Sequence, residues 1–185
     1  LIEELQKEPA SYRNREVVQL SKTDVVGVEA HLRAEEGQEL RGQQEVRYAA
    51  EQWLWADGVP VSGSTPKRLR DAVVGLSVSE FVEDKPESLD SYGLDNPVAK
   101  VWLDTSTQQR VEVWIGEAGE PEKGLEGHET PRRYLKLADE EPVYLVDEKV
   151  LKVTQDLVRE GNRKESKDRE KAWQKSASRE DAAPA

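Results

Sequence analysis

Two consecutive runs of apolar alternation, separated by a short polar break, constrain this chain more than any other feature of it. In residues 99–105, Ala99, Val101 and Leu103 alternate with Lys100, Trp102 and Asp104; in residues 110–116, Val111, Val113 and Ile115 alternate with Glu112 and Trp114. A period of two puts each apolar set on one side of a pleated strand. A break this short joins two strands only as an antiparallel hairpin, because a parallel return needs a long crossover. With a three-residue turn near Gln108, Trp102 and Trp114 are expected opposite each other, on the face away from the aliphatic one. An isolated hairpin cannot bury such a face stably, so the rest of the chain has to supply more strands and a cover.

The strand signals recur on both sides. Residues 25–32 put Val26, Val28, Ala30 and Leu32 on one side. Residues 40–48 form a more polar candidate, followed by Trp53-Leu54-Trp55. Residues 133–137 and 142–146 read as a second pair around the turn Ala138-Asp139-Glu140-Glu141, after a Gly- and Glu-rich loop over 116–131. A helix is expected to start with Ser64 or Thr65 as N-cap and Pro66 at the first helical position. Its stripe is Leu69, Ala72, Val73 and Leu76, with Lys67, Arg68 and Arg70 left to water. Residues 86–92 read as a short helix stopped by Gly93, and Pro97 prevents continuation. A last helix begins after Asp147, with the stripe Val150, Val153, Thr154 and Leu157, and ends at Gly161.

These elements define an α+β fold, a mainly antiparallel sheet of about five to seven strands with two main helices. One unit is expected over 21–161, with a charged, loose tail over 162–185. Residues 1–20 carry Leu1, Ile2 and Leu5 on one helical face up to Pro9, and read as a linker or as the closing helix of a preceding unit.

Composition narrows the partners. The chain carries 27 Lys+Arg against 38 Asp+Glu, a net charge of −11. That balance repels nucleic acid and anionic lipid at long range, so neither is expected as a primary partner. A mean hydropathy of −0.82 sets the chain towards solvation, while five Trp and five Tyr demand a folded body; solvated ends around a folded centre reconcile the two. There is no cysteine, hence neither a disulfide framework nor a thiolate metal site. No apolar run approaches the roughly 20 residues that cross a bilayer. The sequence opens on Leu1 and contains no Met, so it is expected to be part of a longer or processed protein, with any membrane anchor outside this segment.

Sites for chemistry are sparse. Ser64-Thr65-Pro66-Lys67 has the Ser-x-x-Lys spacing of some acyl-transfer enzymes, but its companion motifs are missing and a helix start accounts for the residues. His31, on the outer side of a strand, and His128, in the acidic loop, are the two histidines; zinc needs three or four suitably spaced ligands. Gly116, Gly119, Gly124 and Gly127 would suggest a phosphate cradle were they not interleaved with Glu117, Glu120, Glu122, Glu126 and Glu129. The same loop lacks the alternating Asp/Asn pattern of a calcium site. Asp139, Glu140 and Glu141 at a hairpin tip are expected to be hydrated, with ordinary acidity. No catalytic residue, cofactor or metal site is expected. The aromatic candidates for partner binding are Trp102 and Trp114, which either pack under a helix or form a recognition face, and Trp173, alone in the charged string Lys-Asp-Arg-Glu-Lys-Ala-Trp-Gln-Lys.

Several of these strings together resemble a known family. Trp53, Tyr92-Gly93-Leu94-Asp95-Asn96-Pro97, Val111-Glu112-Val113-Trp114-Ile115-Gly116, Tyr134-Leu135-Lys136-Leu137 and Val143-Tyr144-Leu145-Val146 follow, in order, the pattern of the bacterial family called domain of unknown function 4340. The resemblance covers about residues 21–161, and the acidic insertion over 117–129 departs from the shorter loop of the pattern. It implies an envelope protein, often with an N-terminal membrane helix, associated with ABC-transporter systems of the gliding-motility type, and no catalytic residues to carry over. Some members repeat the unit, and Leu5–Arg15 echoes Leu157–Arg163, hence the reading of residues 1–20. The function expected is therefore a non-catalytic scaffold or accessory domain on the extracytoplasmic side of the bacterial envelope, held against a transporter permease or another envelope subunit. The alternative is a glycan- or peptide-binding module using Trp102, Trp114 and the 117–129 loop. A hydrolase using Ser64 and Lys67 ranks last.

Overall fold

The computed structural model describes residues 14–33, 42–124 and 128–180. Strands β1 (Val25–Leu32), β2 (Gly42–Ala49) and β3 (Gln52–Trp55) are followed by helix α1 (Thr65–Val74), strand β4 (Val78–Glu83) and a 3₁₀ turn (Asp90–Tyr92). Strands β5 (Ala99–Thr105), β6 (Arg110–Lys123), β7 (Glu129–Leu137) and β8 (Val143–Asp147) then lead into helix α2 (Lys149–Glu180). All strands join one antiparallel sheet in the order β3-β2-β1-β5-β6-β7-β8-β4. The α+β class thus holds, with eight strands rather than five to seven. The strand that sequence patterning passed over is β4, whose Ser79, Glu80 and Glu83 break the alternation because it lies at the sheet edge beside β8.

One face of the sheet carries the core. Val28 and Ala30 of β1, Val101 and Leu103 of β5, Val113 and Ile115 of β6 and Leu135 of β7 are fully buried against Leu69 and Val73 of α1 and Leu157 of α2. Thr154, expected in the α2 stripe, is buried too, and its hydroxyl donates to the Val150 carbonyl at 2.8 Å, as a buried polar group must. The chain itself covers the β3 edge and the start of the β4 edge. Beside β3, the Trp55 N–H donates to Val59 O and the Val61 N–H to Trp53 O, each at 2.9 Å. Beside β4, Glu16 bridges Ser77 and the Val78 N–H donates to Arg15 O. Closed edges remove the template that would pair with other chains.

Several boundaries differ from the sequence expectation. A bulge between Val25 and Gly27 turns Val25, not Val26, into the core. Helix α1 has Ser64 at its N-cap but no side-chain capping bond, and Leu76 packs in the core from beyond the helix end. Of residues 86–92 only the 3₁₀ turn is helical; Gly93 does end it, at φ 62°, the left-handed region expected of it. Much of the expected 116–131 loop is strand: β6 runs to Lys123 and β7 begins at Glu129, with register shifts inside the pairing. Backbone pairing does not depend on apolar side chains, and Arg132 ties the segment together by donating to Glu120 O at 2.6 Å and Glu80 at 3.3 Å. Arg15 and Glu16 meet Ser77 and Val78 at the start of β4, and residues 17–20 form no regular element. The Leu1, Ile2 and Leu5 face, most of the Leu5–Arg15 echo, and residues 181–185 lie outside the described residues.

The largest departure is α2, which passes through the expected stop at Gly161 and makes residues 162–180 helical. Gly161 is a contact, not a terminator. It faces β2, where an added Cβ would stand 2.1 Å from Gln44 Cδ. Gln44 is itself buried and donates to Glu165 at 2.9 Å. The start of the helix is pinned by Glu148, which pairs with Arg133 at 3.0 Å and Lys152 at 3.1 Å. Burial acts to raise the Glu148 pKa, but the hydrogen bonds from Lys152 and Arg133 outweigh it and hold the carboxyl below its ordinary value of 4.5.

Two outcomes follow from this packing. Gly-to-Ala inside a helix ordinarily stabilises by about 1 kcal/mol; here Gly161→Ala should lower the urea midpoint, and Gln44→Ala in the same chain should restore part of the loss, a coupling a double-mutant cycle measures. For Glu148, a depressed folded pKa means its contribution is complete above the ordinary value of 4.5 and is lost as pH falls through the lower folded value. Urea midpoints measured across that acid range should therefore fall less steeply for Glu148→Gln than for the parent chain.

Candidate functional site

The hairpin that carries Trp102 and Trp114 closes one residue earlier than expected. Thr105 N–H donates to Gln109 O at 2.9 Å, Gln109 N–H donates to the Thr105 hydroxyl at 3.0 Å, and Gln108 takes φ 64°. This three-residue turn over 106–108 shifts the register, so Trp102 faces Glu112 and Trp114 faces Lys100. The indoles are diagonal neighbours, not a directly opposed pair. Both are half-buried on the sheet face away from the helices. Cations cover them: Lys100 Nζ lies 4.7 Å and Lys136 Nζ 5.8 Å from the Trp114 ring centre, and Arg110 lies 5.9 Å from that of Trp102. The Trp114 indole N–H donates to Glu112.

The surrounding face is an ion-pair lattice. Arg110 pairs with Asp104 at 2.7 Å and Glu29 at 2.8 Å, and Arg47 reaches Asp104 at 3.5 Å. The hydrogen bonds that Arg110 donates to Asp104, outweighing the opposing effect of burial, raise the already high Arg110 pKa. Each exposed pair contributes little stability, but together they leave few uncompensated charges on that face. His31 stands exposed on the same face and His128 is exposed beside β7. Among the described residues no three His, Asp or Glu side chains converge as a metal-ligand set.

Other candidates disperse. Ser64 and Lys67 are both exposed on the first turn of α1. Its buried neighbour Thr65 instead donates its hydroxyl to Glu160 of α2 at 2.6 Å. At the hairpin tip Glu140 accepts from Tyr144 at 2.9 Å, and Glu141 lies 3.7 Å from Lys85. Trp173 lies far along α2 and is 72% exposed.

Sequence reasoning missed a cleft of about 490 Å³ between α2 and the turn after β3. One wall is Trp55, Val59, Pro60 and Val61; the other is the α2 face bearing Glu160, Arg163, Lys164, Lys167, Asp168 and Lys171. Its floor is closed by Lys164, which bonds Asp57 and, at 3.0 Å, Asp168. Those two hydrogen bonds raise the Lys164 pKa, and the one from Lys164, with that of the Val59 N–H, lowers that of Asp57. The carboxylates of the cleft are thus engaged: Glu160 by Thr65, Asp168 by Lys164. Arg163, Lys167 and Lys171 make no ion pair or hydrogen bond among the described residues. Their i, i+4, i+8 spacing was legible in the sequence only to a reader who continued the helix past Gly161. A second cleft lies between α1 and the start of α2; there Arg68 stands 3.5 Å from Asp156 and Asp71 2.7 Å from Arg70.

The class this defines is an α+β domain in which two helices cover one face of a single antiparallel sheet, with an ion-paired second face. The family described as Domain of unknown function (DUF4340) matches residues 53–159, more than half of the chain, and the chain belongs to that family. No curated protein and no solved structure matches it. The basic stripe of the cleft and Trp173 lie beyond the matched residues.

The geometry ranks the five indoles. Trp53 and Trp55 are buried, Trp102 and Trp114 half-buried under cations, and Trp173 open. Trp173→Phe should therefore remove most of the iodide-quenchable fluorescence. Retention of strong quenching in that variant would mean the Trp102–Trp114 face is the open one.

Proposed function

We propose that this domain is a non-catalytic docking unit, an extracytoplasmic scaffold or accessory domain of a membrane-bound transport or motility assembly. The observation that carries the docking part is the second half of α2. Beyond Gly161 the helix continues for about 28 Å at 1.5 Å per residue, and it bears Trp173, the most exposed large apolar side chain of the described residues at 72%. An open indole on a charged helix costs solubility and contributes nothing to the core, whereas Trp is the residue most enriched where partner surfaces take their binding energy. The envelope setting and the transporter or motility partner rest on the family resemblance. The non-catalytic reading is supported by the exposure of Ser64 and Lys67 on the first turn of α1, with His31 on the outer sheet face and His128 beside β7. The cations over Trp102 and Trp114 occupy the ring faces that a sugar would stack on, which weighs against a glycan module.

The test is crosslinking of the full-length protein in its own membranes, with a photoreactive residue at position 173 and, as control, at Ser106 on the far hairpin turn. Recovery of a permease or envelope subunit from position 173 and not from 106 is the expected result. Purification as a lone species with no reproducible crosslink from 173 would sink the proposal.

A further inference from the structure

The cleft between α2 and the β3 turn carries a second surface with its own chemistry. We infer that it receives an extended acidic segment of a partner protein, with carboxylates at alternate positions and apolar residues between them. The inference deepens the docking reading above and rests on it only in taking the occupant to be protein.

Charge is the first argument. In a chain of net charge −11, Arg163, Lys167 and Lys171 stand together without partners among the described residues, while Asp57 and Asp168 beside them are bonded to Lys164 and Glu160 to Thr65. Spacing is the second. Residues four apart on a helix recur about every 6 Å along its axis, and alternate residues of an extended strand recur about every 6.6 Å. Three carboxylates on one side of an extended segment therefore meet the three cations nearly in register. Shape is the third argument. The opposite wall is apolar, with Val59 47% exposed next to Pro60 and Val61, so side chains on the other side of the same segment find a surface that water leaves readily. A long polyanion fits less well, because beyond the cleft it would run onto the acidic remainder of the protein, whereas a short segment feels mainly charges within a Debye length of about 8 Å.

The test uses a fluorescently labelled peptide of about nine alternating Glu and Leu residues, long enough to overrun the about 12 Å from Arg163 to Lys171. Matched Lys/Leu and Glu/Ser peptides serve as controls, and binding is read by fluorescence anisotropy. The Glu/Leu peptide should bind, more weakly as salt rises, and better than either control. Joint replacement Arg163→Gln, Lys167→Gln and Lys171→Gln should weaken it by about tenfold, and Val59→Ser should weaken it without changing the salt dependence. All four side chains are exposed and Gln keeps helix propensity, so far-ultraviolet circular dichroism should be unchanged. Equal binding of the Lys/Leu peptide, or an unaltered affinity in the triple variant, overturns the inference. Failure of the peptide with crosslinks from position 173 intact would remove the cleft reading alone. Peptide binding with no partner recovered in membranes would uphold the cleft and remove the assembly reading alone.

Discussion

Everything in this structure depends on covering one face of an eight-stranded antiparallel sheet. Antiparallel strands tolerate water on one side but not on both when one side is lined with Val, Leu and Ile. The cover comes from α1 and the first third of α2, whose Leu69, Val73, Val150, Val153 and Leu157 fill the aliphatic face. Because α2 lies across β1, β2 and β5, it also holds together strands distant in sequence. Removing the α2 contact would expose the inner face of the central strands at once, since burying each such side chain stabilises by roughly 1.5–3 kcal/mol.

The same helix also carries the proposed docking surfaces, for a geometric reason. A helix long enough to cover the sheet and continue past it presents a fresh face to solvent, and among the described residues its far half carries no core side chain. Glycine at position 161 permits this. A side chain there would collide with Gln44 and lift the helix off β2, so the close approach and the onward path come together. Where α2 leaves the sheet, the turn after β3 rises beside it and Lys164 ties the two together through Asp57. The cleft is the space left between them.

Electrostatics divides the surface. The exposed sheet face is a lattice of Arg110, Asp104, Glu29 and Arg47 in mutual contact, with indoles beneath cations. Charges satisfied in place offer little to a ligand. On α2, Glu160 and Asp168 are engaged by Thr65 and Lys164, while Arg163, Lys167 and Lys171 have no partner among the described residues, so the proposed attraction for an acidic segment rests on that strip of cations. That strip and Trp173 follow the residues matched to the family.

By itself, the sequence determined the antiparallel class and the elements whose signals are local: the 99–116 hairpin with its aliphatic inner face, the Ser64-Pro66 helix start, and the left-handed stop at Gly93. These are set by side-chain period and by backbone conformations a residue can or cannot adopt. Tertiary structure alone decided the rest. The exact turn over 106–108 came from Thr105 bonding Gln109, and a one-residue change there moved Trp102 from opposite Trp114 to opposite Glu112. The acidic stretches 117–123 and 129–131 became paired strand because a neighbouring backbone was available to them. Gly161 reads as a helix stop in any local account, yet it continues the helix because Gln44, 117 positions away in sequence, leaves room only for a hydrogen atom. The cleft is the extreme case, since its two walls are about a hundred residues apart in sequence, and no local pattern registers a space between segments until packing brings them side by side.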